Sequence, residues 1–332
     1  MAELSIGKIR GLQQIATPDG IFIICAMDHR GSLKAMIEKE QPDDEVDYQE
    51  LVEYKLELCE ALAPHSSAVL LDPNYGAAQC ISSGLLPGKI GLLVSIEATG
   101  YESSQQGRIT TLLKNWSVEK IGRMGASAVK LLVYYRPDLA RIANAQLKTI
   151  RKVAEECRKY DIPLLVESVT YPVAHEDPKT PEFANKKPDL VIESARQITS
   201  LPIDVLKSEF PANLKFETNK SKLLDHCRKV DEASKVPWVL LSAGVEYETF
   251  KKEVEIACKA GASGFLGGRA IWQEALHFDN KKDRRKFLLT TAADRVKELA
   301  EITDKYAVPW YRKMGLGANK LVSIPENWYI RY

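Results

Sequence analysis

The segment "DVLKSEFP" (204–211) has the composition of a buried β-strand, yet a lysine stands in its middle. Val205, Leu206 and Phe210 supply apolar side chains around Lys207. Lysine is among the residues that are least often fully buried unless it is paired or has a chemical function. The position of this ammonium group is the first indication of a functional site.

Seven similar apolar runs are spread along the chain, and most are nearly continuous, which is typical of parallel strands covered on both faces. They are "IFIICAMD" (21–28), "HSSAVLLD" (65–72), "IGLLVSIE" (90–97), "AVKLLVYY" (128–135), "PLLVESVT" (163–170), "PWVLLSAG" (237–244) and "GFLGGRA" (264–270). Charged, helix-favouring segments such as "LKTIRKVAEECRKYD" (147–161) separate them. Eight strand–helix units without a break in composition predict one α/β domain, a (β/α)8 TIM barrel. The rival, a Rossmann-like sheet, is disfavoured because no GxGxxG follows the first strand.

The barrel is predicted to occupy residues 1–305, and an aromatic-rich extension, "YAVPWYRKMGLGANKLVSIPENWYIRY", follows at 306–332. Two interpretations of this extension stay open: a strap packed on the barrel surface, or a contact between subunits. We expect a homo-oligomer.

Composition excludes several classes of partner. Lys+Arg 46 against Asp+Glu 45 gives no argument for nucleic acid or an anionic membrane surface. The first residues lack the apolar core of a signal peptide, and no apolar run reaches the ~20 residues of a membrane helix. Six scattered cysteines without a CxxC pair are expected to be reduced. We therefore expect a cytoplasmic protein.

Polar residues stand at most of the predicted strand ends, where the chemistry of a (β/α)8 barrel is located. They are Asp28, Arg30, Asp72, Glu97, Glu167, Lys207, Ser242 and Arg269, with Lys130 inside the fourth strand. Asp72 precedes "PNYG" and is predicted to cap the next helix. The number of converging charged groups predicts an active site at the barrel mouth.

Lys130, Glu167 and Lys207 lie on the fourth, fifth and sixth predicted strands and form the candidate catalytic set. A structural ion pair is the alternative, but such a cluster is costly to keep for stability alone. A lysine amine that burial and a neighbouring cation keep deprotonated can form an imine with a carbonyl. Glu167 could then carry protons between the steps. Glu209 has the same side-chain parity as Lys207, which suggests a second partner for the amine.

A phosphate site is predicted at the seventh and eighth strands. The segments "SAG" (242–244) and "GGR" (267–269) place small residues where barrels commonly bind phosphate through backbone N–H groups. Tight turns are the alternative explanation for these glycines. A metal centre is not expected, because only His29 of five histidines adjoins a strand end. No cofactor is expected either.

Together these motifs resemble the class I tagatose-1,6-bisphosphate aldolases, over about residues 20 to 275. The resemblance is carried by "MDHRGSLK" (27–34), "LLDPNYG" (70–76), "EATGYESSQQGR" (97–108), "GASAVKLLVYY" (125–135), "PLLVES" (163–168), "DVLKSEFP" (204–211), "PWVLLSAGV" (237–245) and "GASGFLGGRAIW" (261–272). It implies a TIM barrel that cleaves a phosphorylated ketohexose to dihydroxyacetone phosphate and glyceraldehyde 3-phosphate.

The resemblance also implies residue roles. Lys207 would form the Schiff base, Glu167 would be the acid/base and Lys130 would assist it. The implied substrate- and phosphate-binding residues are Asp28, His29, Arg30, Ser242, Gly244, Gly267, Gly268 and Arg269.

Two features depart from the family pattern. His29 stands where the family usually has glutamine. Arg136 in "YYRPD" and the "GASGFLGGRAIW" segment resemble the related class I aldolases of 6-deoxy-6-sulfofructose 1-phosphate. The distal substrate group, phosphate or sulfonate, is thus left open.

Two hypotheses from other classes also remain. A non-catalytic sugar-phosphate sensor would not need the lysine–lysine–glutamate set. An enediol-type isomerase would use Glu167 as base and would not need Lys207 as a nucleophile.

Overall fold

Eight parallel strands, separated along the chain mainly by helices, form a closed barrel in the computed structural model, which describes residues 4–40, 45–104, 107–278, 280–317, 323–330 and 332. The strands are β1 Phe22–Ala26, β2 Ala68–Leu71, β3 Gly91–Ser95, β4 Glu102–Ser104, β5 Gly107–Ile109, β6 Ala128–Tyr134, β7 Leu164–Val169, β8 Val205–Ser208, β9 Trp238–Leu241 and β10 Gly264–Gly267. The barrel order is β1-β10-β9-β8-β7-β6-β3-β2, and β4 and β5 form a separate antiparallel hairpin. The predicted TIM barrel is confirmed.

The helices and short turns follow. The α-helices are α1 Ile6–Ile15, α2 Gly31–Glu40, α3 Tyr48–Leu62, α4 Ala77–Ser82, α5 Val118–Arg123, α6 Ala140–Lys159, α7 Pro181–Ile198, α8 Lys220–Ala233, α9 Tyr247–Lys259, α10 Arg269–Trp272, α11 Lys281–Phe287, α12 Ala293–Tyr306 and α13 Trp310–Lys313. A π-helical turn, Leu288–Ala292, joins α11 to α12, and 3-10 turns lie at Ala63–His65, Gln273–His277 and Trp328–Ile330.

The helix starts are capped as their sequences require. Asp47 accepts a hydrogen bond from the Glu50 N–H at the start of α3, and Asn219 accepts from the first turn of α8. Thr180 caps α7, whose first residue is Pro181. These local signals fix the helices that pack on the outer face of the barrel.

Apolar side chains form two cores, one on each face of the strands. The outer core joins strand residues to the surrounding helices. The inner core fills the barrel and is closed at its N-terminal end by Leu12 and Ile15 of α1 and by Trp310. Because that end is packed with apolar groups, the polar strand residues are left at the opposite, C-terminal end.

The first part of the predicted extension packs on the barrel. Trp310 is 1% exposed, and its backbone N–H donates to the Gly20 carbonyl at 2.9 Å. The following described segment, 323–330, is exposed along its length. These contacts place only the residues around Trp310 against the barrel, and the choice between a strap and a subunit contact stays a prediction. Residues 318–322 and 331 of the extension lie outside the described residues.

Candidate active site

A cavity of ≈ 590 Å³ opens at the C-terminal ends of the barrel strands. Lys130, Glu167 and Lys207 all line it, as do residues from the other strand ends. Each of the three is nearly buried, with at most 7% of its surface exposed. Three ionisable groups in one partly closed cavity are a candidate site for chemistry.

A cluster of lysines and carboxylates occupies the floor of this cavity. Lys130 Nζ lies 2.6 Å from Asp28 Oδ2, 2.6 Å from Glu97 Oε1 and 2.9 Å from Glu167 Oε2. Lys207 Nζ lies 2.8 Å from Glu167 Oε1. The two oxygens of Glu167 thus connect the two lysines.

Strand register explains this arrangement. Glu167 on β7 is paired with Lys207 on β8 and with Leu132 on β6. Lys130 precedes Leu132 by two residues and therefore projects to the same interior face. A one-residue shift of any of these strands would turn its charged side chain toward the helices.

The charges of the cluster shift its pKa values. Burial raises the pKa of Asp28 and Glu167, but the positive charges of Lys130 and Lys207 outweigh burial, so both pKa values are lowered. Burial lowers the pKa of Lys130, but Asp28, Glu167 and Glu97 outweigh it and the pKa is raised well above 10.5. At neutral pH Lys130 is thus a fixed cation and Glu167 a carboxylate.

The segment after β1 places Asp28, His29 and Arg30 at the mouth. Arg30 Nη2 donates to the Glu97 carbonyl at 2.8 Å. The His29 ring packs edge-on against Trp272, and its buried Nδ1 has no hydrogen-bond partner among the described residues. Burial, assisted by nearby cations, lowers the pKa of His29 to about 3, so the imidazole is neutral.

Lys55 supports this segment from below and was missed by the sequence reasoning. Its side chain is fully buried, forms a 3.0 Å ion pair with Asp72, and donates to the carbonyls of Met27 and His29. Asp72 also accepts from the N–H groups of Asn74 and Tyr75 in the turn after β2, at 2.9 and 2.8 Å; it does not cap the next helix, α4, as predicted, because that helix begins only at Ala77. Lys55 lies in an amphipathic helix, where its sequence does not distinguish it from surface lysines.

A second corner of the cavity lies at the ends of β9 and β10. The Gly268 N–H donates to Ser242 Oγ at 3.2 Å, and both residues line the cavity with Arg269. Arg269 Nε is buried and has no hydrogen-bond acceptor among the described residues. Gly244 adopts a φ of +72°, and a Cβ there would lie 3.1 Å from Arg269 Cζ. Arg269 Nε is thus a buried donor that lacks a partner within the described part of the chain, as an anion site requires.

Gly267, the other predicted phosphate residue, has a packing role instead. A Cβ on Gly267 would lie 2.8 Å from Ile271 and 2.9 Å from Phe250, which belong to the outer helices. Gly267 is not among the residues that line the cavity. Close contact between β10 and the surrounding helices explains why glycine is present at this position.

Two other residues have different partners from those expected. Glu209 lines the cavity, but its Oε2 accepts from the Thr170 N–H at 2.6 Å and hydroxyl at 2.7 Å, while Lys207 is paired with Glu167. Arg136 is buried outside the cavity, and its guanidinium is held by Asp138 and Glu176. Arg136 therefore offers no contact for a distal substrate group.

Glu97 and Tyr134 also line the cavity, although the predicted site did not include them. Glu97 had been noted as a polar strand end, and that signal could have placed it in the site. Tyr134 gave no signal, since tyrosine is ordinary at a strand end. Among the described residues no group of His, Cys, Asp and Glu side chains is arranged to hold a metal ion, and no helix is long and apolar enough to cross a bilayer.

Comparison with known proteins gives consistent matches. The profile of the DeoC/LacD family aldolases matches residues 22–274. A tagatose 1,6-diphosphate aldolase of Listeria monocytogenes is 33% identical over 338 residues, covering 95% of this chain and 97% of the relative. A protein of the same name from Staphylococcus aureus is 34% identical over 324 residues, covering 92% and 98%. The resemblance found in the sequence is confirmed.

Solved structures share the fold at low sequence identity. The fructose-bisphosphate aldolase of Plasmodium falciparum matches with a TM-score of 0.71 at 13% identity, covering 93% of this chain and 97% of that chain. An archaeal fructose-1,6-bisphosphate aldolase, solved with its catalytic lysine bound to the carbinolamine intermediate, matches with a TM-score of 0.57 at 21% identity, covering 88% and 98%.

Proposed function

This chain belongs to the DeoC/LacD aldolase family, and from that premise we propose that it is a Schiff-base aldolase in which Lys207 is the nucleophile. The observation that carries the proposal is the pair of nearly buried lysines connected by Glu167 in one cavity. Lys130 is committed to three carboxylates. Lys207 has Glu167 as its ion-pair partner and is left as the amine that can react.

The first step needs a neutral amine at Lys207. Glu167 Oε1, at 2.8 Å, is within reach of the Lys207 proton. The amine attacks the keto carbon of the substrate, a C–N bond forms, and the carbonyl oxygen becomes a hydroxyl in the carbinolamine. Protonated Glu167 then gives its proton to that hydroxyl, which leaves as water, and a cationic imine remains.

The second step breaks a C–C bond. The Glu167 carboxylate removes the proton of the C4 hydroxyl, the C3–C4 bond breaks, and its electron pair moves to the imine nitrogen to form an enamine. The aldehyde product leaves. The enamine takes the proton back at C3, and hydrolysis releases the ketone and free Lys207. Lys130 keeps Glu167 ionised between these steps because its positive charge lowers the pKa of that carboxylate.

The phosphate next to the keto group binds at the corner formed by Ser242, Gly244, Gly268 and Arg269. The buried Nε of Arg269, which has no acceptor among the described residues, supports this assignment. Asp28, His29 and Arg30 line the adjoining wall, because β1 is paired with β10. His29, being neutral, is suited to hydrogen bonding with a hydroxyl.

The proposed substrate is tagatose 1,6-bisphosphate, cleaved to dihydroxyacetone phosphate and glyceraldehyde 3-phosphate. Two full-length relatives carrying the name tagatose 1,6-diphosphate aldolase support this choice. Catalysis without a metal or cofactor, a homo-oligomeric state and a cytoplasmic location remain predictions from the sequence.

Covalent trapping tests the proposal. Borohydride reduction in the presence of dihydroxyacetone phosphate should add a stable mass label to the peptide that carries Lys207. Lys207→Met should abolish both the label and cleavage, while Lys8→Met, which removes a lysine paired with Asp204 at the closed end of the barrel, should keep the label.

The alternatives predict other results. A sugar-phosphate sensor would bind the ketose without turnover. An isomerase that uses Glu167 as base would retain activity in Lys207→Arg. A label on a lysine other than Lys207, or activity abolished by EDTA, would contradict the proposal.

A further inference from the structure

Arg108, at the hairpin formed by β4 and β5, lies among three tyrosine rings. Its Cζ is 4.5 Å from the ring centre of Tyr101, 4.9 Å from that of Tyr171 and 5.6 Å from that of Tyr134. A guanidinium that packs on aromatic rings is attracted by their faces and keeps its N–H groups available at its edge. The rings thus hold the side chain in place without neutralising it.

Arg108 differs in this respect from its neighbour Arg136. Within the described part of the chain, no carboxylate forms an ion pair with Arg108, whereas Arg136 is paired with both Asp138 and Glu176. Arg108 is also only partly buried. A positioned and accessible arginine without an acidic partner is suited to bind a phosphate or sulfonate from solution.

The position of Arg108 relative to the cavity follows from β6. Lys130, Leu132 and Tyr134 alternate on this strand, and all three line the cavity. Tyr134 is the one nearest the C-terminal end of β6 and so lies at the mouth. Thr99 and Gly100, which lead into Tyr101, also line the cavity. Arg108 is not itself among the lining residues; its Cζ lies behind Tyr134, 5.6 Å from the centre of that ring, and we take this position as the rim.

Strand order gives one direction in which a substrate can extend across the cavity. The corner that holds Arg269 belongs to β9 and β10, on one side of Lys207 in β8. Glu167 in β7 and Tyr134 in β6 follow on the other side. A ketose whose first phosphate binds near Arg269 and whose second carbon is at Lys207 can direct its remaining carbons past Glu167 toward Tyr134.

We propose that Arg108 binds the anionic group on the carbon of the ketose farthest from the keto group. This inference rests on the proposed function, because it takes the carbonyl carbon to be at Lys207. The arginine recognises the anion through its N–H edge, and the three tyrosines keep it aimed along the rim. Phosphate and sulfonate share the required charge and oxygen geometry, so both are candidates.

Substrate pairs that differ only in the distal group test the proposal. In Arg108→Gln, kcat/KM for tagatose 1,6-bisphosphate should fall roughly 10- to 100-fold, the loss expected for a charge-assisted hydrogen bond. For tagatose 1-phosphate, which lacks the distal group, kcat/KM should stay within about 2-fold of the wild-type value. Arg108→Lys, which keeps the charge but not the paired N–H groups, should lie between them.

A matched control removes one positive charge elsewhere. Arg123 is exposed at the end of α5, and Arg123→Gln should leave the ratio of the two substrates unchanged. An equal loss for both substrates in Arg108→Gln, or no loss for either, would overturn the proposal and indicate a structural role. These outcomes are separate from failure of the proposed function, which would appear in the wild type as absence of the Lys207 label.

The same variants identify the anion. Cleavage of 6-deoxy-6-sulfofructose 1-phosphate and of tagatose 1,6-bisphosphate is compared in the wild type and in Arg108→Gln. A loss for both supports general anion binding at Arg108. A loss of kcat/KM for only one of the two substrates supports the same site and identifies the anionic group that it recognises.

Discussion

Substitution of Lys130 by methionine should destabilise the fold in a pH-dependent manner. Methionine keeps the approximate length of the side chain but removes the cation shared by Asp28, Glu97 and Glu167. Glu97 still accepts from the Leu132 N–H at 3.1 Å, and Glu167 still pairs with Lys207.

Asp28 loses most by this change. Among the described residues, Lys130 is the cation at ion-pair distance from its carboxylate. Without Lys130, the charge of Lys207 still lowers the pKa of Asp28, but burial has the larger effect; we therefore expect the pKa to rise and the side chain to take up a proton. Starting from the ordinary value of 3.8, protonation at pH 7 costs about 4 kcal/mol, at 1.36 kcal/mol per pH unit. This agrees with the loss of roughly 3–5 kcal/mol for breaking a buried ion pair.

The sign of the pH effect follows from proton counting. The folded variant binds one proton that the unfolded chain lacks, so its stability falls as the pH rises above 3.8, by up to about 1.4 kcal/mol per unit. In the wild type the pKa of Asp28 is lowered, so the contribution of Asp28 to the free energy of unfolding is constant near neutral pH. The difference in the free energy of unfolding between wild type and variant should thus decrease to about 2 kcal/mol at pH 5.5.

Urea unfolding of both proteins at pH 7 and pH 5.5 measures these differences. Lys229→Met serves as the control, because Lys229 forms an exposed ion pair with Asp225 and should contribute less than about 1 kcal/mol. A deficit for Lys130→Met that is below 1 kcal/mol, or that is equal at the two pH values, would refute the reasoning.

Two further substitutions test other parts of the site and its support. Gly244→Ala introduces a Cβ at a φ of +72° and 3.1 Å from Arg269 Cζ, so we expect a higher KM and a stability loss of about 1 kcal/mol. Gly122→Ala is the control, because a Cβ there meets no described atom within 4 Å. An unchanged KM in Gly244→Ala would contradict the assigned phosphate corner. Burial raises the pKa of Glu253 to about 8, so the folded protein binds a proton there and loses stability as the pH rises from about 4.5 to 8. Glu253→Gln should therefore stabilise the protein more at pH 8 than at pH 5 in thermal unfolding, and an equal gain at both would rule out this titration.

Local sequence patterns were sufficient to predict the barrel and the lysines and glutamate of its cavity. The eight apolar runs each became a barrel strand, because a strand covered on both faces must be apolar along its whole length. Lys130, Glu167 and Lys207 could be predicted as site residues because burying a charge inside such a run is costly. Their meeting in one cavity follows from strand parity and parallel pairing, which the sequence also implies.

The partners of these charges depended on the tertiary structure. Nothing local indicates that Lys130 contacts Asp28 across 102 positions of the chain, or that Lys55 supports the segment around His29. Gly267 and Gly268 are adjacent glycines, yet Gly267 packs against the helices and Gly268 lines the cavity. Arg108 and Arg136 likewise differ only in their surroundings, tyrosine rings for one and carboxylates for the other. Periodicity determines which face a side chain occupies, but its charged neighbours come from distant segments that only the closed barrel brings together.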